Sequence, residues 1–215
     1  YMAHPYAQTV HPAYSDEVRT LTLLGIAGLC VALNVALGTA ANMLKIPVYL
    51  DAVGTIAAAF LAGRLGFRGF LLAALVGAAS FTISGLLFTP AVLWFIPTQI
   101  AIAAVAFYMI RPAMTRYLVD ERFAIRAVIL TIAFGILLGL VAGLVSAPII
   151  AYVFGGITGS GPSLIVAVLL KSGQNLFNAV ATAGIATELA DKTIQLAVAV
   201  VLVRMTPGRI RSMFF

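Results

Sequence analysis

This 215-residue sequence is 62% hydrophobic and 9% charged, with a mean hydropathy of +1.10, whereas an average soluble domain carries about 25% charged residues. Such a composition excludes a soluble fold and predicts an all-α membrane protein, with no nucleic acid among its partners. The net charge of +6 does not argue otherwise, because the 13 basic residues sit at the ends of apolar runs and form no stripe.

Residues 1–18 hold Pro5, Pro12, His4 and His11 and no apolar run, so they read as a mobile tail rather than a signal peptide. Residues 19–215 read as a single transmembrane domain. Each crossing of the hydrocarbon takes about 20 apolar residues, which leaves room for roughly six or seven.

The apolar runs are Leu21 to Leu44, Val48 to Gly63, Phe67 to Phe88, Val92 to Ile110 and Ala127 to Phe154. Between them stand turn and breaker residues: Lys45-Ile46-Pro47, Gly63-Arg64-Leu65-Gly66, Thr89-Pro90 and Arg111-Pro112. From Pro162 to Arg204 two paths fit. The favoured one is a re-entrant or interfacial helix followed by a last crossing near Leu189 to Arg204; the other is one long, tilted or broken helix. Cys30 lies inside the first run and reads as a small buried side chain.

Arginines alternate along the chain. Arg19, the pair Arg64 and Arg68, the group Arg111, Arg116, Arg122 and Arg126, and finally Arg204, Arg209 and Arg211 mark one side, while the third and fifth connections carry no basic residue. Short cytoplasmic connections collect Lys and Arg, so the pattern predicts both termini in the cytoplasm, an even number of crossings, most simply six, and a multi-pass protein of the cell's inner (plasma) membrane.

The membrane region contains no Walker loop, dinucleotide fingerprint, zinc pair or histidine. Catalysis, metal and cofactor binding are therefore not expected. What remains are polar residues near the predicted outer ends, and such groups at membrane depth point to function. Asp51 stands where the second helix should begin, as an N-cap or as a ligand or gating contact. Trp94 offers an aromatic plane or an interfacial anchor, and Gln99, deeper in the same run, needs a helix neighbour or a ligand as partner. Lys171, Gln174, Asn175 and Asn178 fall at helical spacing and would share one face, lining a ligand cavity or meeting headgroups. Glu188 and Lys192 are an i, i+4 pair, and with Asp191 they read as structural. In the first run Gly28, Ala32, Ala36 and Ala40 make a small-residue stripe, suited to packing within the bundle or to docking a separate membrane subunit.

Together these pieces resemble the substrate-binding membrane subunits (S components) of energy-coupling factor (ECF) transporters, which take up vitamins and related micronutrients. The resemblance covers about residues 20–213. It rests on Gly28-x-x-x-Ala32-x-x-x-Ala36, on Ile46-Pro47-Val48-Tyr49-Leu50-Asp51-Ala52-Val53-Gly54-Thr55, on Gly155-Gly156-Ile157-Thr158-Gly159-Ser160-Gly161, and on Glu188-x-x-Asp191-Lys192 followed by Pro207-x-Arg209. It implies six helices and a ligand captured near the outer surface by the odd-numbered loops and the last helix. It also implies that the subunit tips over in the membrane when a transmembrane coupling subunit and two cytoplasmic ATPases turn over. The coupling subunit would dock on Gly28, Ala32 and Ala36, and the chain itself would hydrolyse no ATP. The segment from Pro162 to Ala190 departs from the family pattern.

For a small polar ligand the inventory is Tyr49, Trp94, Gln99, Lys171, Asn175 and Asn178, with Gln174 beside them. Asp51 and Lys171 bring opposite charges, which suits a zwitterionic or uncharged ligand. Two other classes stay open: a stand-alone channel or secondary transporter, for which the two halves show no convincing repeat, and a ligand-sensing module of the kind fused to sensor kinases.

Overall fold

The computed structural model describes residues 16–119 and 125–214. The tail residues 1–15, with both histidines, and Arg122 lie outside them. Among the described residues the chain is helical with no strand. Four stretches are long and apolar enough to cross a membrane: Glu17–Met43, Phe67–Leu87, Pro90–Leu118 and Ile125–Tyr152.

The first helix, α1 (Asp16–Met43), turns one face to the protein and the other outward. Cys30, Asn34 and Ala41 are buried, whereas Gly28, Ala32, Ala36 and Ala40 are all exposed. A Cβ built on Gly28 would meet nothing within 4 Å. Packing of this stripe within the bundle is therefore ruled out: it lies on the outside of α1, away from α2 and α3.

The second apolar run is not a full helix. Residues 46–52 are not helical, and α2 (Val53–Leu61) has nine residues, every one buried. At about 1.5 Å per residue α2 is too short to cross hydrocarbon alone. It occupies the centre of the bundle, packed against α1, α3, α4 and α8, which is why its sequence is apolar all round. Gly54 permits the closest approach: a Cβ there would stand 2.0 Å from the Cys30 carbonyl oxygen of α1.

Helix α3 (Phe67–Leu87) matches its apolar run. The next run does not end at Arg111-Pro112 as its breaker predicts. A 3₁₀ segment (Pro90–Phe95) leads into α4 (Ile96–Val105), then a π-helical turn (Ala106–Ile110), then α5 (Arg111–Val119), as one continuous rod. The π turn widens the spiral just before Pro112, which relieves the clash a proline makes with the preceding turn.

Helix α6 (Ile125–Tyr152) pairs with α8 (Leu176–Met205). Gly135, Gly139 and Gly143 form the contact: Cβ atoms there would meet Thr193 Cα at 2.5 Å, the Glu188 carbonyl oxygen at 2.5 Å and Ile185 Cα at 3.4 Å. Rising numbers on α6 meet falling numbers on α8, so the two run antiparallel with their backbones close. Between them lie the loop 155–161 and α7 (Pro162–Lys171), a short helix packed on α8.

The path after Pro162 keeps the short helix of the favoured expectation and corrects where the last helix starts. A short helix does precede the last one, but the last helix begins at Leu176, not near Leu189, and its 30 residues run without a break. The charged triad sits mid-helix as a result. A final short helix, α9 (Gly208–Phe214), follows, and Arg204 and Arg211 donate to the carbonyls of Tyr117 and Leu118 at the end of α5.

Gly139→Ala forces a methyl group against α8 backbone, so we expect a loss of about 1–3 kcal/mol. Gly143→Ala meets ordinary contact distance and should be neutral or slightly stabilising. Thermal unfolding of the two purified variants distinguishes them; equal melting temperatures would mean that the α6–α8 contact is not this close.

Candidate ligand cavity

A cavity of about 180 Å³ opens between the C-terminal parts of α1, α3 and α6, the N-terminal part of α4 and the middle of α8. Loop residues Val48, Tyr49, Thr158 and Ser160 contribute to its wall. The two loops are fastened together: Lys45 Nζ donates to the Gly159 carbonyl at 2.6 Å, and Gly161 lies so close to Ile46 that a Cβ would stand 2.1 Å from its carbonyl oxygen. The arginine-bearing helix ends are the opposite ones, namely the start of α1, α3 and α6 and the end of α5 and α8.

One wall is a hydrogen-bonded network joining four helices. Asn34 Oδ1 accepts from Gly54 N at 2.6 Å, while its amide nitrogen donates to Thr55 Oγ1 at 3.0 Å and Ser80 Oγ at 3.1 Å. Thr55 Oγ1 donates to Gln99 Oε1 at 2.9 Å. Gly77 leaves the space for this, since a Cβ there would stand 2.7 Å from Gln99 Cβ. Gln99, its oxygen engaged by Thr55, also lines the cavity.

The facing wall is a cluster of charges on α8. Asp191 is wholly buried and takes four hydrogen bonds: from Tyr49 N at 2.9 Å, Leu50 N at 3.0 Å, Lys192 Nζ at 2.6 Å and Gln195 Nε2 at 2.6 Å. Gln195 Oε1 in turn accepts from Ala52 N at 2.6 Å. These bonds hold the backbone of residues 49–52, including Leu50 at φ 54°, a left-handed conformation rare for a leucine. Lys192 Nζ lies 3.2 Å from Asp51 Oδ1 and 3.1 Å from Glu188 Oε2. The Glu188 contact falls short of hydrogen-bond geometry, and Glu188 Oε2 and Thr98 Oγ1 are buried without a hydrogen-bond partner.

The remaining wall is aromatic. Phe95 stacks on Phe154 with centroids 5.3 Å apart and approaches Phe81 at 6.3 Å; Phe88 also lines the cavity.

Of the residues singled out in the sequence, Tyr49, Asp51 and Gln99 line this cavity. Asp51 does not cap α2, whose N-cap is Ala52 with no side-chain bond; its carboxylate turns to Lys192 instead. Trp94 is 60% exposed on the 3₁₀ segment and lies outside the lining, as an interfacial indole does. Lys171, Gln174, Asn175 and Asn178 do not share a helical face, which corrects that expectation. Lys171 ends α7, Gln174 sits in the turn, Asn175 is the N-cap of α8 accepting from Asn178 N at 2.9 Å, and all four are exposed outside the cavity. The spacing is helical, but Gly173 at φ +93° breaks the helix among them.

Glu188 and Lys192, read as structural from spacing alone, form the stated pair and also line the cavity. Thr98, next to Gln99 in the same polar stretch, lines the cavity too, as do Asn34 and Ser80, which the sequence reading passed over. No protein-family model, curated protein or solved structure matches the chain.

Removing the one cation strands three carboxylates, so Lys192→Met should cost about 3–5 kcal/mol. Asp51→Asn, at a side chain 24% exposed, should cost clearly less. Size-exclusion profiles and melting curves report both; a Lys192→Met protein as stable as the parent would show that the cluster is neutralised in another way.

Proposed function

We propose that the chain is the ligand-capturing membrane subunit of an ATP-driven importer for a vitamin or similar micronutrient. The observation that carries this reading is the pairing of two features on opposite faces of α1. Inward, Asn34, Gly38, Thr39 and Asn42 wall a cavity that combines an aromatic side with a few placed polar groups, the usual make-up of a small-molecule site. Outward, Gly28, Ala32 and Ala36 form a flat exposed stripe, the kind of surface on which a second membrane helix packs closely. The resemblance to S components supplies the partners: a transmembrane coupling subunit on that stripe and two cytoplasmic ATPases beneath it.

In this reading six crossings arise when α8, despite its charged middle, and α2 with its non-helical lead are counted with the four long apolar helices. The arginine-bearing ends and both termini face the cytoplasm, and the cavity opens to the outside. Charged residues at membrane depth in α8 are tolerated because they pair with one another and face the protein interior.

The test separates docking from binding. Ala32→Leu or Ala36→Leu should abolish uptake and co-purification with a coupling subunit while leaving the melting temperature unchanged. Native mass spectrometry of the detergent-purified protein should reveal a bound small molecule, retained by both variants. Uptake unaffected by both variants would remove the stripe from the mechanism, and a protein with neither bound ligand nor coupling partner would sink the importer reading.

A further inference from the structure

Building on the capture reading, the charge balance of the cavity narrows the ligand's chemical class. Three carboxylates, those of Asp51, Glu188 and Asp191, converge on the single ammonium of Lys192. Among the described residues no arginine, histidine or second lysine lines the cavity. One ammonium thus faces three carboxyl groups in a buried site, where uncompensated charge is expensive.

Its members differ in what they still offer. All the hydrogen-bonding positions of Asp191 used by the fold are filled by Tyr49, Leu50, Lys192 and Gln195. Lys192 donates to Asp191 and Asp51 and lies 3.1 Å from Glu188 without a hydrogen bond, so its single charge is already shared among three carboxyl groups. Glu188 accepts no hydrogen bond, is only 5% exposed, and lines the cavity. Asp51 lines it too and is held by one long contact to Lys192. The free capacity on this wall is thus acceptor capacity, carried by carboxylates.

We propose that the cavity binds an organic cation: a protonated amine received by Glu188 and Asp51, with the attached ring or hydrocarbon lodged against Phe81, Phe88, Phe95 and Phe154. The stacked and tilted rings supply an apolar wall to the same cavity that Asp51 and Glu188 line. A cavity of about 180 Å³ holds a molecule of roughly a dozen heavy atoms, far more than a bare metal ion fills. Among the described residues no group of acidic, histidine or cysteine side chains is arranged to hold a metal ion.

Three probes of similar shape and different charge test the assignment: tryptamine, tryptophol and indole-3-acetate. In isothermal titration calorimetry of the detergent-purified full chain, tryptamine should bind at least tenfold more tightly than tryptophol, and indole-3-acetate should not bind. Glu188→Gln keeps the side chain's shape and should remove most of the preference for tryptamine over tryptophol; Asp51→Asn should reduce it in the same direction. Equal or tighter binding of tryptophol or indole-3-acetate, or binding of none of the three, would overturn the cation assignment. The capture reading would survive those outcomes wherever native mass spectrometry still shows a ligand released from the same preparation.

Discussion

The structure depends on how one buried carboxylate is satisfied. Asp191 sits mid-way along α8 with no exposure, where an ionised group left unpaired would be untenable. Its two oxygens take backbone N–H groups of Tyr49 and Leu50 on one side and the side chains of Lys192 and Gln195 on the other. That single arrangement fixes the non-helical segment 46–52 against α8, sets where α2 can begin, and turns Asp51 toward the cavity. The network around Asn34 does the corresponding work across α1, α2, α3 and α4. Between the two networks the cavity has walls that polar bonding, not packing alone, holds apart.

Two kinds of contact divide the labour in the rest of the bundle. On α6 and α8 glycines bring backbones together, giving a close pair in which dispersion does the work that the hydrophobic effect cannot do in lipid. Around α2 the contacts are mostly apolar, with Val53, Ile56 and Phe60 buried, and Gly54 and Thr55 add the polar bonds to Asn34 and Gln99. At the end away from the cavity Arg204 and Arg211 satisfy carbonyls that the terminus of α5 would otherwise leave open.

Much of the helical layout was legible in the sequence because crossing a bilayer demands length and apolarity, and α1, α3 and α6 show both with recognisable ends. Where legibility failed, tertiary contacts decided. Val53–Leu61 reads like part of a longer crossing, and only its complete enclosure lets so short a helix stand at the centre. Arg111-Pro112 reads as a stop until a π turn absorbs the proline. The Gly135, Gly139, Gly143 repeat carries the same signal as the stripe on α1, yet one packs on α8 and the other faces outward. For the cavity, Tyr49, Asp51 and Gln99 could be found because polar residues in apolar runs stand out. The group around Gln174 misled because spacing cannot show that Gly173 ends a helix, and Glu188, Asp191 and Lys192 looked complete as a group because Asp51 joins them only in three dimensions.

The outer and inner faces of α1 belong to the same few turns. Ala32 and Ala36 point away from the bundle, and Asn34, between them in sequence, holds Gly54, Thr55 and Ser80 together at the cavity wall. The helix is about 10 Å thick, and α1 packs against α2 and α3 on one side only. A shift of α1 along or around its axis is therefore also a shift of Asn34, and the wall of the cavity is one helix diameter from the surface on which a neighbouring helix would press.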